Sequence, residues 1–266
     1  MPIEAIDVHG HFGEYRKLPP DLTCGFMSCD APGVVERARA NHIRLTIVSP
    51  LEALLPRGQA DAVAGNLNAA RIVAATPGLR QYVVIDPRAP ETYRQAEEML
   101  RLPACVGIKI HPEEHVYPIH EFGEAIFAFA ARHRAVVLSH SSERHSQSAD
   151  LVVWANRFPE MKLILAHIGC GWDGDCTHQV RAVQQSRHGN VFADTSSARS
   201  MMSGLIEWAV SEIGAGRVLF GTDTPLYHTG LQRVRIDQAG LSDAEKKKIL
   251  HENAEALFDP DKLRTA

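Results

Sequence analysis

The sequence lacks the features that mark several classes of protein. No apolar stretch approaches the roughly 20 residues that a membrane-spanning helix requires. No long run of lysine and arginine offers the footprint of a nucleic-acid-binding surface, and the formal net charge is -4. The five cysteines are odd in number and widely scattered, which fits reduced thiols better than a disulfide scaffold. Because the acidic N-terminus also lacks a secretory signal, we expect a cytoplasmic protein with neither membrane nor nucleic acid as partner.

What the sequence does contain is an alternation of short apolar runs and longer amphipathic stretches, repeated eight times in 266 residues. Most of the apolar runs are rich in β-branched residues or leucine and end at turn residues, as buried parallel strands do. The predicted strands are Ile3–His9, Ile43–Ser49, Gln81–Asp86, Cys105–Ile110, Ala135–His140, Lys162–His167, Asn190–Asp194 and Arg217–Asp223. Eight β/α units predict a (β/α)8 TIM barrel of the α/β class, with residues 1–266 in a single domain. An open doubly wound sheet is less favoured because no glycine-rich phosphate-binding motif follows the first strand.

Three local expectations accompany this fold. Residues 13–30 form the longest irregular segment, and a loop of that length after the first strand predicts an active-site lid or binding loop. Ser203 is expected to cap the seventh helix, and the capping-box pattern of Ser242 and Glu245 predicts a C-terminal helix that reaches Leu257. We expect this last helix to pack outside the barrel.

Polar residues fall at corresponding positions in the predicted strands. The first strand leads into His9 and His11, which share a face because strand residues two apart point the same way. The fifth strand ends in His140, the sixth in His167 and the eighth in Asp223. The C-terminal ends of barrel strands converge on one face, where the catalytic residues of this architecture lie. A single histidine at a strand end is usually a hydrogen-bonded rim residue, but five aligned positions predict a site.

These five residues have the chemistry of a metal site. A divalent, zinc-like ion takes imidazole nitrogen and carboxylate oxygen, and a catalytic site leaves one position open for water or substrate. His9, His11, His140 and Asp223 can fill the protein side of one such ion. His167 remains, either as a ligand of a second metal or as an unligated acid or base.

The motifs that carry these residues resemble those of a known superfamily. They are Asp7-Val8-His9-Gly10-His11-Phe12, Gly107-Ile108-Lys109-Ile110-His111-Pro112, Leu138-Ser139-His140, Leu165-Ala166-His167-Ile168-Gly169, Phe220-Gly221-Thr222-Asp223 and Ile249-Leu250-His251-Glu252-Asn253-Ala254. In this order, along nearly the whole chain, they are similar to the amidohydrolase superfamily of metal-dependent hydrolases. The resemblance is greatest to the branch that includes aminocarboxymuconate-semialdehyde decarboxylase, resorcylate decarboxylases and lactone hydrolases. It implies that His9, His11, His140 and Asp223 bind a catalytic metal and that His167 acts beside it.

The fourth predicted strand adds Lys109 and His111, which alternate onto the same inward face as Gly107. In binuclear members of the superfamily, a lysine on this strand is carboxylated and bridges two metals. Here Lys109 can do the same, bind a substrate anion or form a structural ion pair. Because mononuclear sites are usual in the branch that this chain resembles, we expect one divalent metal, Zn²⁺ in the first instance, and assign Lys109 and His111 to substrate binding.

Several arginines are predicted to lie in loops on the same face, namely Arg16, Arg57, Arg88, Arg144 and Arg199. The guanidinium fork suits a substrate carboxylate. Because most loop arginines are merely solvated, we expect one or two of them to contact the substrate. Arg144, shortly after His140, and Arg199, after the seventh strand, are the preferred candidates.

Together these features predict a metal-dependent hydrolase that acts on a small lactone, ester or amide carrying a carboxylate. Asp223, both ligand and base, would take a proton from a metal-activated water, and His167 would orient or protonate the substrate. The alternative is a metal-dependent non-oxidative decarboxylase of an aromatic or muconate-type acid, which would use the same ligands. A non-catalytic metal-binding barrel is a remote alternative, because every expected ligand and acid–base residue is present in the sequence. The partner is a small molecule, and the sequence leaves open whether the chain forms a homo-oligomer.

Overall fold

The chain folds into eight strands that neighbour one another in chain order. A computed structural model describes residues 2–197 and 201–264. The strands are β1 Ala5–Phe12, β2 Ile43–Pro50, β3 Leu79–Val84, β4 Cys105–Ile110, β5 Val136–Ser139, β6 Lys162–Leu165, β7 Val191–Asp194 and β8 Val218–Leu219. Every neighbouring pair from β1–β2 to β7–β8 is parallel. This arrangement confirms the predicted single-domain (β/α)8 barrel.

Helices connect the strands. They are α1 Leu22–Phe26, α2 Ala31–Ala40, α3 Ala62–Ala74, α4 Glu91–Met99, α5 Ile119–Arg132, α6 Ser148–Arg157, α7 His178–Gln184, α8 Leu205–Ile213, α9 Thr229–Asp237, α10 Asp243–Lys247, α11 Asn253–Leu257 and α12 Pro260–Leu263, with a π-helical turn at Lys248–Glu252. The capping box of Ser242 and Glu245 is confirmed. The prediction for Ser203 was wrong, because α8 starts after Gly204, whose left-handed φ of 78° stands in place of a side-chain cap. None of the helices in the described part of the chain is both long and apolar enough to span a membrane.

Apolar side chains fill the interior of the barrel. The interior cluster comprises Ile6, Val8, Leu45, Ile47, Tyr82, Val106, Val136, Leu138, Ile164, Ala166, Leu219, Ala254, Phe258 and Leu263. The last three belong to the C-terminal segment, and the ring centroid of Phe258 lies 6.2 Å from that of Tyr82. The C-terminal segment thus adds apolar side chains to this core, and the packing of its helix outside the barrel stays a prediction.

Backbone hydrogen bonds between β1 and the segment after β8 close the barrel. They join Val8 N to Phe220 O at 2.9 Å, Asp223 N to His9 O at 2.7 Å and His11 N to Thr224 O at 2.6 Å. The fully buried carboxyl group of Asp7 adds two bonds from Thr222, one from its backbone N–H at 3.0 Å and one from its hydroxyl at 2.6 Å. We call these contacts the closing seam. They hold His9 and Asp223, from opposite ends of the chain, side by side.

Between Asp7 and Gly10, β1 contains one extra residue relative to β2. From Asp7 to Gly10 it takes three steps while its partner takes two, which is the signature of a β-bulge. Val8 belongs to the interior core, and the next residue, His9, also points inward and lines the cavity above that core. The bulge therefore turns a histidine toward the mouth of the barrel at a position where regular alternation would point it outward.

Residues 13–30 lie at this mouth. The ends of the segment are joined by two backbone hydrogen bonds, from Gly13 N to Cys29 O at 2.6 Å and from Cys29 N to Gly13 O at 3.1 Å. The segment contains α1, and Tyr15 within it lines the cavity described next. Its predicted role as an active-site loop stays a prediction, which this location favours.

Candidate metal centre

A cavity of about 290 Å³ opens at the C-terminal ends of the strands. It is lined by His9, His11, Tyr15, Leu51, Leu54, Leu55, Arg57, His111, Glu114, His140, Glu143, His167, Cys170, Ser197, Asp223, Leu226 and Tyr227. The five residues that the sequence places at strand ends all belong to this lining. The structure thus brings them to one cavity, although they come from four different strands.

Three of these residues bring their ligand atoms together beside the closing seam. Asp223 Oδ1 lies 3.0 Å from His11 Nε2 and 3.5 Å from His9 Nε2, and all three side chains are buried. The ligand atoms of this set, which we call the metal group, lie within 4.8 Å of one another. Ligand atoms that are each about 2.1 Å from a tetrahedral ion lie about 3.4 Å apart, so this spacing fits one divalent metal.

The other ring nitrogens of the two histidines already have partners. His9 Nδ1 lies 2.9 Å from Asp194 Oδ2, and His11 Nδ1 lies 3.0 Å from the carbonyl oxygen of Ser49. Metal-binding histidines commonly donate their second ring N–H to a carboxylate or a carbonyl in this way, which fixes the ring and directs the other nitrogen. The Nε2 atoms of His9 and His11 therefore point toward the same place as Asp223 Oδ1, and this donor set suits a divalent cation.

The charges of the cavity floor follow from burial and from neighbouring groups. Burial favours the neutral form of Asp223, but the attraction of His9 and the hydrogen bond with His11 outweigh it and hold the pKa of Asp223 well below its usual range. Burial lowers the pKa of His167 to about 4, although the negative charge of Asp223 acts in the opposite direction. At neutral pH the floor therefore contains a carboxylate beside a neutral imidazole, and both can accept a proton.

Asp223 and His167 also share an unusual backbone conformation. Their φ angles are 56° and 70°, in the left-handed region that residues with a side chain rarely adopt. The bond from Asp223 N to His9 O holds one of them, and a 3.0 Å bond from His167 N to Asp194 Oδ1 holds the other. Strain of this kind concentrates at functional sites, where it turns a side chain into a required direction.

His140 lines the same cavity but stands apart from the metal group. Its Nδ1 lies 3.1 Å from His167 Nε2, and its Nε2 lies 3.1 Å from Glu143 Oε2. Its ring stacks on that of His111, with centroids 4.3 Å apart and an interplanar angle of 10°. Neither group of clustered ligand atoms in the described residues includes it. To serve as the predicted fourth ligand, His140 would have to exchange one of these contacts for the ion.

Lys109 on β4 and His111, which directly follows this strand, take different places. His111 lines the cavity, where a substrate can contact it, and burial holds its pKa well below the ordinary value. Lys109 is fully buried, and its Nζ lies 3.0 Å from His9 Nε2. Burial lowers the pKa of Lys109 to about 8, with Asp223 and Asp194 acting in the opposite direction. Within residues 2–197 and 201–264 the lysine forms no ion pair, so a structural salt bridge does not explain it.

A family comparison covers most of the chain. The family model described as Amidohydrolase matches residues 50–259. The chain belongs to the amidohydrolase family. This finding confirms the resemblance drawn from the sequence motifs, although His9 and His11 precede the matched range. No curated protein matches the sequence of this amidohydrolase.

Solved structures of the same fold share little sequence with this amidohydrolase. The 2,6-dihydroxybenzoate decarboxylase from Rhizobium is 13% identical, with a TM-score of 0.72 and coverage of 96% of this chain and 98% of that chain. The 5-carboxyvanillate decarboxylase from Sphingomonas paucimobilis is 14% identical, with a TM-score of 0.73 and coverage of 97% and 99%. The dihydroxybenzoic acid decarboxylase from Polaromonas sp. JS666 is 19% identical, with a TM-score of 0.71 and coverage of 99% and 98%. At these identities the likeness establishes the fold alone.

Among residues 2–197 and 201–264, the arginine that lines the cavity of this amidohydrolase is Arg57, and the favoured Arg144 does not line it. Arg57 lines the cavity and forms two hydrogen bonds with Glu114, at 2.7 Å and 3.2 Å. Arg144 is exposed and lies outside the cavity lining, because sequence distance from His140 does not fix the direction in which a loop turns its side chains. Arg199, the other favoured residue, lies outside the described residues.

Three polar residues that support the site were not singled out from the sequence. Asp194, at the end of β7, contacts His9, and Ser196 lies two residues after Asp194. Glu143 contacts His140 from the loop after β5. Asp194 ends its strand as Asp223 was expected to end the eighth, so the strand-end pattern could have identified it. Ser196 and Glu143 carry no comparable signal, since their contacts depend on the paths of the loops.

Proposed function

We propose that this amidohydrolase is a metal-dependent, non-oxidative decarboxylase of a small aromatic acid that carries a ring hydroxyl. The observation that carries the proposal is the division of the cavity into two chemically different parts. Its floor presents the metal group, which consists of two imidazoles and a carboxylate. Its wall contains the aliphatic side chains of Leu51, Leu54, Leu55 and Leu226.

An aromatic acid matches both parts. The planar apolar ring can be buried against the leucines, which favours binding by about 25 cal/mol for each Å² of apolar surface removed from water. The carboxylate can then face the metal group. The volume of about 290 Å³ is at the lower end of the range for small-molecule sites, which favours a substrate with a single ring.

Proteins of similar fold support the reaction class. Three of them are decarboxylases, of 2,6-dihydroxybenzoate, 5-carboxyvanillate and dihydroxybenzoic acid. The Polaromonas structure contains manganese and the inhibitor 2-nitroresorcinol. The proposal shares with these proteins only the reaction, the aromatic ring and its hydroxyl, because the sequence identities are too low to indicate a particular substrate.

The residues of the floor can perform the proton transfers. Decarboxylation breaks the bond between the ring carbon and the carboxylate carbon, leaves the electron pair on the ring carbon, and requires one proton there as CO2 departs. Asp223 Oδ1 faces His9 and His11, which leaves the second carboxylate oxygen to carry that proton. Asp223 is a carboxylate at neutral pH, so this oxygen would take up the required proton from solvent and, because the pKa of Asp223 is held below its usual range, pass it readily to the ring carbon. Neutral His167 can accept the proton of the ring hydroxyl and so increase the electron density of the ring.

The metal proposed for this site is one divalent ion held by His9, His11 and Asp223, with His140 as the predicted fourth ligand. When bound, it would supply the positive charge that holds the substrate oxygens against the floor. Zn²⁺ is expected from the imidazole and carboxylate donors. Manganese is the second ion to test, since it is present in the Polaromonas structure.

Hydrolysis of a lactone, ester or amide that carries a carboxylate is the second candidate function. The observation that favours it is the same buried carboxylate, because Asp223 beside two imidazoles is ionised and offers an oxygen that can accept a proton from water. Both reactions use the metal group. They differ in the substrate and in the fate of the proton, and an experiment can follow both.

The test is to incubate the purified protein, supplied with Zn²⁺ or Mn²⁺, with a panel of hydroxybenzoic acids in D2O. We expect release of CO2 and an arene with one deuterium at the carbon that lost its carboxylate. A parallel panel contains lactones and amides that carry a carboxylate. The control variant is Asp223→Asn, which preserves size and removes the proton-accepting charge, and we expect it to lose turnover.

The proposal fails if the metal-loaded protein decarboxylates none of the aromatic acids. Hydrolysis in the parallel panel would then support the second candidate. Decarboxylation by the Asp223→Asn variant at the wild-type rate would also count against the assigned role of Asp223, even if the reaction itself were correct.

A further inference from the structure

A single buried hydroxyl lies at the centre of a second group of ligand atoms. That group comprises His9, His167 and Asp194. Ser196 Oγ lies 2.9 Å from His9 Nδ1, 2.8 Å from His167 Nδ1 and 2.5 Å from Asp194 Oδ1. Ser196 and Asp194 are both fully buried. The hydroxyl therefore occupies the position that an ion bound by these three side chains would need.

The positions of the protons in this cluster follow from the donors available. Asp194 Oδ1 also accepts the backbone N–H groups of His167 at 3.0 Å and of Ser196 at 2.9 Å. A carboxylate only accepts hydrogen bonds, so the single hydroxyl proton of Ser196 is donated to Asp194. The lone pairs of Ser196 Oγ then accept from His9 Nδ1 and His167 Nδ1. This arrangement places the ring proton on both nitrogens, and His167 Nε2 then accepts from His140 Nδ1, 3.1 Å away.

Two further contacts of His9 lead to the same result independently. Lys109 Nζ lies 3.0 Å from His9 Nε2, and an ammonium group can only donate. On the opposite side of the ring, His9 Nδ1 lies 2.9 Å from Asp194 Oδ2, which can only accept. Both contacts place the proton on Nδ1 and the lone pair on Nε2.

We propose that Ser196 is a positioning residue which, together with Asp194, holds His9 and His167 in the same Nδ1-protonated tautomer. In this tautomer the Nε2 lone pair of His9 is directed at the metal group, and that of His167 is directed at His140 Nδ1, from which it can accept a proton. The consequence for turnover rests on the proposed function, whereas the consequence for the tautomers does not. One hydroxyl thereby prepares both a proposed metal ligand and a proposed proton acceptor.

The two histidines depend on this hydroxyl unequally. His9 Nδ1 has Asp194 Oδ2 as a second acceptor, so its tautomer should survive without Ser196. Among the described residues, His167 Nδ1 has Ser196 Oγ as its hydrogen-bond acceptor. Ser196→Ala should therefore turn His167 into a mixture of tautomers and leave the tautomer of His9 unchanged. A nonspecific disturbance of the site would affect both histidines.

The primary experiment measures the tautomers directly. Long-range 1H–15N correlation spectra of metal-free protein labelled with 15N-histidine show which ring nitrogen carries the proton, and spectra of His9→Ala and His167→Ala assign the signals. We expect both histidines to carry the proton on Nδ1 in the wild type. In Ser196→Ala, His167 should become a mixture of tautomers. The matched control is Ser148→Ala, since the buried Ser148 hydroxyl bonds to Ser142 Oγ at 2.7 Å and, within the described part of the chain, to no histidine.

Metal content and kinetics provide the second measurement. Ser196→Ala should still bind one metal per chain, because His9 keeps its orientation. It should lose roughly 10–100-fold in kcat with KM unchanged, the usual effect of removing a group that orients a functional histidine. Ser148→Ala should behave as the wild type in both measurements.

A wild-type spectrum with the proton of His167 on Nε2 would overturn the proposal, and this result needs no variant to fold. An unchanged His167 tautomer in Ser196→Ala, or a kcat equal to that of the wild type, would overturn it as well. If the wild type decarboxylates none of the acids tested, the proposed function fails, while the tautomer measurement still decides the role of Ser196.

Discussion

Replacing Asp7 by alanine tests whether the closing seam stabilises the barrel. The buried Asp7 carboxyl group accepts hydrogen bonds from Thr222 Oγ1 at 2.6 Å, Thr222 N at 3.0 Å and His9 N at 3.1 Å. Asp7→Ala removes the acceptor of two buried backbone N–H groups, and each unsatisfied group costs roughly 1–3 kcal/mol, or roughly 2–6 kcal/mol together. Thr222 N keeps a weaker contact with His9 O at 3.3 Å, so we expect the lower part of that range. A loss of roughly 2–4 kcal/mol is large against the roughly 5–15 kcal/mol of a typical domain.

The matched control for this prediction is Asp7→Asn. Its amide oxygen can still accept both backbone N–H groups, and the Thr222 hydroxyl can turn to accept from the amide nitrogen. We expect this variant to lose less than roughly 1.5 kcal/mol, the value of a single exchanged hydrogen bond. Urea titration with an excess of chelator gives the free energy of unfolding without a contribution from metal binding. A loss below about 1 kcal/mol in Asp7→Ala, or equal losses in the two variants, would refute the reasoning.

Three further predictions concern the cavity. His9→Ala and Asp223→Ala should each abolish turnover and sharply lower metal content while circular dichroism shows a folded barrel; full activity at normal metal content would contradict the ligand assignment. His167→Ala should keep the metal and lose roughly 10²–10⁴-fold in kcat, whereas a fall from two metals per chain to one would identify it as a second-site ligand. Arg57→Met should raise KM for aromatic acids about tenfold with little change in kcat, the effect of losing one partly exposed charged hydrogen bond. An unchanged KM would mean that Arg57 only pairs with Glu114.

The order of the barrel elements could be predicted because apolar periodicity reports which residues are buried. The strand boundaries were harder to predict, and β8 shows the reason. The predicted run Arg217–Asp223 pairs with β7 only over Val218–Leu219, because the residues that follow bond to β1 at the closing seam. The bulge in β1 could not be predicted from the sequence either. A pattern of alternation shows that His9 and His11 share a face, but it does not show that Val8 shares it too.

The residues at strand ends could be located because a parallel barrel brings the C-terminal ends of its strands together whatever the sequence between them. The side chains that orient them are held by contacts distant in the chain. Ser196 reaches His9 across 187 positions, and Glu114 reaches Arg57 across 57. Such pairs depend on loop paths, which local sequence patterns do not encode. For the same reason the choice of Arg144 over Arg57 rested on distance along the chain, which is a poor guide to distance in space.

The closing seam and the metal group are built from the same stretch of backbone, and this explains why the strain of the site is tolerated. Asp223 has a φ of 56°, a conformation that costs roughly 1–3 kcal/mol for a residue with a side chain. Its backbone N–H donates to His9 O at 2.7 Å, so barrel closure holds the strained residue against the strand that carries the two histidines. The side chains of His9, His11 and Asp223 then meet with little freedom left to lose on binding an ion. Barrel closure thus supplies the preorganisation that a metal site of this kind requires.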